Sequence, residues 1–171
     1  MHDWPDLRQI FSGIPWVIVG GVATRAYMPE RMTQDIDVLV RRADQEVILT
    51  RLQQNGYTIK QKLSIPGYTL IAPDGIELDV LLGEQDWLNE ALANPTEDAA
   101  RFPVLGLPYL ILMKMESSRG RDIGDVTTML GWADAAQLQV VRKAVATYSP
   151  QDNDDLESLI FIGQQERNSS T

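Results

Sequence analysis

The chain has 171 residues, 44 % of them apolar, and a formal charge of −9. This fits one domain, or one domain with a small appendage, and works against broad attraction to nucleic-acid phosphates. There is no cysteine and a single histidine, His2, which excludes disulfides and zinc–thiolate sites and leaves a Ser-His-Asp or Cys-His mechanism without a base.

No apolar run approaches a membrane span, and the N-terminus lacks the basic-then-apolar order of a signal peptide, so a cytoplasmic protein with no membrane partner is expected. In chain order, residues 4–12 (WPDLRQIFS) suggest a short amphipathic helix, and 16–19 (WVIV) a strand of large and β-branched residues. Gly20-Gly21 opens a helix through about Tyr27, which Pro29 closes. A second strand spans 35–40 (DIDVLV). Residues 43–55 place Val47, Ile48 and Leu52 at helical spacing, with Gly56 as the stop. Strands follow at 57–63, 68–72 and 76–82. The last two form a hairpin about the tight-turn sequence Pro73-Asp74-Gly75. A short helix at 84–94 and an edge strand at 102–105 come next. Helices are predicted over 108–118, 122–132 and 134–148, with a weaker one at 152–165 and a frayed polar end. The fold class is therefore α+β with an α/β-like order: a mixed sheet carrying packed helices, and a helical C-terminal part. The expected divisions are a core at 1–106, helices at 107–165 and a tail at 166–171.

Three features carry chemistry. Asp35 and Asp37 alternate with Ile36 and Val38, so in a strand both carboxylates point to one face. Side by side they repel each other unless a cation lies between them, and Mg²⁺ favours carboxylates together with phosphates over an all-protein cage. Asp79 interrupts the apolar strand ELDVLLG, where a lone carboxylate needs a partner; if that strand lies beside 35–40, three carboxylates converge. Such a set suits two metals about 4 Å apart in displacement at phosphorus. Gly20 and Gly21, between a strand and a helix, let a phosphate approach the backbone and the free N–H groups, although neither a P-loop nor a dinucleotide fingerprint is present. Arg25, one helical turn on, suits a phosphate contact or, with more weight, pairing with the aspartates. Thr33 suits a phosphate contact or a turn-stabilising bond. Asp122 opens a helix, where capping and catalytic roles weigh equally.

Together, VGG at 19–21, DID at 35–37 and ELDV at 77–80 resemble the nucleotidyltransferase superfamily with the DNA polymerase β-like head. The stretches RMTQDIDVLV and LPYLILMKMESSRGRDIGDVTTML resemble most its compact, toxin-like members of abortive-infection systems, whose helical lysine and following basic-Asp-x-x-Asp start match Lys114, Arg121, Asp122 and Asp125. The resemblance implies transfer of a nucleoside monophosphate from an NTP co-substrate to an acceptor hydroxyl, with pyrophosphate released. Asp35 and Asp37 would hold Mg²⁺, or Mn²⁺ as the alternative, and Asp79 would join the metal beside the attacking hydroxyl. Gly20, Gly21, Thr33, Arg25 and Lys114 would serve the nucleotide. The acceptor is left open among a tRNA end, a protein and a small molecule, with the acidic balance leaning away from RNA. A toxin–antitoxin setting would add a cognate partner protein. The competing reading is a non-catalytic NTP-binding or antitoxin-like protein of the same fold.

Overall fold

The computed structural model describes residues 6–29, 35–117 and 120–169. It divides into two compact units: the chain up to Val22 with the stretch ending at Val104, and the stretch beginning at Ala23 with everything from Leu105 onward.

The first unit is a mixed seven-stranded sheet. Its strands are β1 (Trp16–Val19), β2 (Ile36–Arg41), β3 (Thr58–Lys62), β4 (Gly67–Ile71), β5 (Glu77–Gly83), β6 (Thr96–Glu97) and β7 (Pro103–Val104), in the order β3-β4-β5-β2-β1-β7-β6. β2 runs antiparallel to β1 and parallel to β5. The strands form where the sequence concentrates β-branched and large apolar residues, and period-two alternation fixes which face is buried. In β5, Leu78, Val80 and Leu82 are buried while Glu77, Asp79 and Leu81 are partly open. Three helices complete the unit: α1 (Leu7–Ile10), α3 (Gln45–Gln54) and α4 (Leu88–Ala93). Ile48 and Leu52, one turn apart on α3, are fully buried, and the Arg51 guanidinium donates to the carbonyls of Ile10 and Ser12, which ties α3 to the end of α1.

The second unit is helical: α5 (Leu107–Ser117), α6 (Gly120–Trp132), α7 (Ala135–Tyr148) and α8 (Asn153–Ser169). Asp134 begins α7 with a capping box: its carboxylate accepts from the Gln137 amide, and the Gln137 side chain accepts from the Asp134 N–H. α6 and α8 meet at glycines. A Cβ on Gly163 would stand 2.0 Å from the Thr127 carbonyl oxygen, and one on Gly131 2.3 Å from that of Gly163. Only hydrogen side chains permit so close a crossing.

Several elements differ from the sequence expectation. The helix opened by Gly20-Gly21, α2, is α-helical only over Gly20–Ala23 and tightens into a 3-10 turn at Thr24–Ala26. Within the span expected for the first helix, only Leu7–Ile10 is helical among the described residues. The strand at 103–104 is not an edge, because Thr96–Glu97 pairs outside it. α8 runs through Ser169, past the point where a frayed tail was expected.

Candidate active site

Two of the three predicted carboxylates are neighbours. β5 lies beside β2, and the register pairs Asp37 with Asp79. Adjacent strands are about 4.8 Å apart and in-register side chains share a face, so the two aspartates stand abreast. Asp35 immediately precedes β2 and is exposed, while Asp37 is half-buried between the buried Ile36 and Val38. The alternation expected from DID is therefore the alternation observed.

The row extends on both sides. Asp37 pairs across β1 with Val19, and Asp79 pairs across β4 with Thr69. Gly20, next after Val19, has φ +63°. A Cβ there would lie 2.0 Å from Asp37 Oδ2. The first function of Gly20 is thus to make room for the Asp37 carboxylate, a role not evident from a strand–Gly-Gly–helix sequence. Gly21 follows in the first turn of α2.

Burial pushes the Asp79 carboxyl above its ordinary value. A hydrogen bond offered by the Thr69 hydroxyl opposes that rise, the charges of Asp35 and Glu77 add to it, and Lys60 offsets part of it. Lys60 itself forms an ion pair with Glu77. It sits where the β3–β4 register slips between Ile59 and Gln61, an irregularity of the kind that re-aims a side chain. Thr69 and Lys60 are the neighbours that sequence reading missed. The available signal for Thr69 was a polar residue inside the otherwise apolar YTLI run. Lys60 offered no signal, because bulges leave no reliable mark in a single sequence.

No three Asp, Glu, His or Cys side chains among the described residues form a ready-made cation cluster. The oxygen-only donor set nevertheless fits Mg²⁺ or Mn²⁺, ions that take one or two carboxylates and complete their shell with water and phosphate. Asp37 and Asp79, with Asp35 near enough for its charge to act on Asp79, are such a set.

The other predicted residues are distributed differently. Thr33 lies outside the described residues. Arg25 falls in the 3-10 turn and is half-buried. Lys114 on α5 is 6 % exposed, and its ammonium donates to Asp122 Oδ1 at 2.8 Å and Asp125 Oδ2 at 2.7 Å. The Ser117 hydroxyl also donates to Asp122, at 2.6 Å. Asp122 thus serves a lysine-centred network within the helical unit.

Comparison with known proteins supplies a family and a fold. The family model for aminoglycoside-2''-adenylyltransferase matches residues 7–94, just over half of the chain. A search of the curated proteins gives no match. Among solved structures, the chain is similar to the antibiotic-resistance factor ANT(2'')-Ia in solution (TM-score 0.50, 15 % identity, covering 95 % of this chain and 90 % of that one). It is also similar to the lincosamide antibiotic adenylyltransferase LnuA with lincomycin bound (TM-score 0.52, 14 % identity, covering 72 % and 90 %). A nucleotidyltransferase-like protein of Thermotoga maritima gives a TM-score of 0.50 at 18 % identity, covering 69 % and 86 %. At these identities the structural likenesses speak for the fold.

Proposed function

Because the chain belongs to the aminoglycoside-2''-adenylyltransferase family and is thereby a nucleotidyltransferase, we propose that it transfers AMP from ATP to a hydroxyl of a small-molecule antibiotic. The observation that carries this reading is the in-register pair Asp37–Asp79, with the Asp37 carboxylate seated over Gly20. The family, and the lincosamide named for the similar structure of LnuA, favour a small molecule over a tRNA end or a protein as acceptor. The net charge of −9 suits a neutral or cationic acceptor.

In this reading the acceptor oxygen attacks the α-phosphorus of ATP. The bond from that phosphorus to the bridging oxygen breaks, and pyrophosphate carries off the electron pair. Asp79 orients the hydroxyl and takes its proton; burial raises the proton affinity of its carboxyl above that of an ordinary carboxylate, which favours that transfer. Asp35 and Asp37 would hold Mg²⁺, with Asp79 as a further ligand. The ion, when bound, supplies neutralisation of charge on the phosphate oxygens. Gly21 and the first turn of α2 offer backbone N–H groups to phosphate. Arg25, Thr33 and Lys114 are the remaining candidates for nucleotide contact, with the difference that Lys114 already commits two of its three donors to Asp122 and Asp125.

The test has two stages. Thermal unfolding is recorded with each NTP, with and without Mg²⁺, for the wild type and for Asp35→Asn/Asp37→Asn. At about a hundred times its dissociation constant a ligand adds roughly 2.7 kcal/mol. Labelled ATP is then incubated with a panel of aminoglycosides and lincosamides. A Mg²⁺-dependent shift that the double variant loses, followed by label on one class of antibiotic, is the expected result. No shift with any NTP at millimolar concentration defeats the proposal.

A further inference from the structure

Thr69 is the polar residue of β4 on the face that carries the carboxylates. It shares that face with the partly exposed Ile71, Glu77 and Asp79, yet is itself only 2 % exposed. A hydroxyl buried to that degree is costly unless it is bonded. Across β5 the residue in register with it is Asp79, and on the far side of Asp79 stands Asp37. Asp79 therefore has Thr69 in register on one side and Asp37 on the other. Without the hydroxyl, repulsion from Asp35 and Glu77 would favour turning Asp79 out toward solvent, away from the atom it must reach.

We propose that Thr69 is a positioning residue for the transfer reaction, its buried hydroxyl holding the Asp79 carboxylate abreast of Asp37. This inference rests on the nucleotidyltransferase reading of the site. In that reading Asp35 and Asp37 are the main holders of the metal and Asp79 orients and deprotonates the acceptor, so loss of Thr69 should affect turnover more than nucleotide binding.

Thr69→Val keeps the branched shape and removes the hydroxyl; Thr69→Ser keeps the hydroxyl and removes the methyl. In the nucleotide-free protein, NMR of the residue-69 hydroxyl proton reads the bond without any need for activity. A slowly exchanging proton close to the Asp79 carboxylate is expected in the wild type and in Thr69→Ser, and none in Thr69→Val. In kinetics, Thr69→Val should lower kcat by about 10–100-fold, the usual cost of losing a partner that orients a site carboxylate. KM for ATP and the ATP-dependent melting shift should stay near wild type, and Thr69→Ser should recover most of kcat. Wild-type kcat in Thr69→Val, or equal impairment in Thr69→Ser, overturns the inference. So does an active wild type without the hydroxyl bond. A wild type that keeps the bond but transfers nucleotide to no acceptor overturns the transferase reading instead.

Discussion

Replacing Gly20 with alanine tests the arrangement at its tightest point. The new Cβ would lie 2.0 Å from Asp37 Oδ2, 2.6 Å from its Cγ and 3.0 Å from its Cβ. Two costs follow. A left-handed backbone, here φ +63°, costs a residue with a side chain about 1–2 kcal/mol. Displacing the Asp37 carboxylate is an overpacking cost of about 1–3 kcal/mol. Together they predict a loss of about 2–5 kcal/mol in urea unfolding at pH 7, seen as a lower midpoint with an unchanged slope. The two costs separate in a double-mutant cycle. In an Asp37→Ala background the carboxylate is gone, and Gly20→Ala should cost little more than the backbone strain. A coupling of about 1–3 kcal/mol between the positions is expected. If Gly20→Ala costs the same in both backgrounds, Asp37 is not what requires glycine at position 20, and the argument fails.

In the helical unit, Gly163→Ala drives a methyl to 2.0 Å from the Thr127 carbonyl on α6 and should lower stability by about 1–3 kcal/mol; Gly124→Ala on the same α6, where a Cβ meets nothing within 4 Å, should raise it by about 0.5–1 kcal/mol through helix propensity, both read by thermal unfolding. Lys114→Met leaves Asp122 and Asp125 without their shared cation and should cost about 3–5 kcal/mol, most of it recovered in the triple variant that adds Asp122→Asn and Asp125→Asn. Burial, with a smaller push from Asp74, raises the Tyr57 phenol to about 12. Its folded state therefore holds the proton longer than the unfolded chain, so stability should fall as pH rises from 10 toward 12; the 295 nm titration should show a late-ionising component that Tyr57→Phe removes.

The sheet was legible in the sequence because its central strands are dense in β-branched residues and bounded by glycine and proline. WVIV, DIDVLV and ELDVLLG each became a strand within a residue of its expected limits. The pairing of β2 with β5 was legible only as a condition. Nothing local to either strand says that it lies parallel to the other, since that contact spans some forty residues of chain. β6 was not legible: two residues, Thr96 and Glu97, carry no period, and only the exposed flank of β7 gives them a partner. Lys114 illustrates a different limit. A lysine in LILMKM is expected to serve the nucleotide, ahead of a snorkelling role, and only the packing of α5 beside α6 reveals two aspartates within bonding distance. Gly20 shows the converse. The sequence marked the right residue but not the reason, because a clash with a side chain seventeen positions away leaves no local pattern.

A carboxylate placed for stability and one placed for chemistry differ in sign when removed, and Asp79 allows that sign to be read. Burial is the largest influence on its carboxyl and pushes it upward; Asp35 and Glu77 push the same way, and Thr69 and Lys60 only partly offset them. A folded-state value above the ordinary 3.8 means that the native protein binds this proton more tightly than the unfolded chain does. Wild-type stability should therefore fall as pH rises from 3.8 through the raised value. The carboxamide that Asp79→Asn introduces does not titrate, and its oxygen can still accept from Thr69. Without metal or nucleotide, Asp79→Asn should thus unfold at higher urea than the wild type at pH 7, and the advantage should shrink as pH falls toward 3.8. The same variant should transfer no nucleotide. A variant less stable than the wild type at pH 7 would mean that the charged carboxylate gains more from its neighbours than burial costs it, making Asp79 a structural residue. Greater stability with lost turnover is the pattern of a group kept in an unfavourable setting for the reaction it performs.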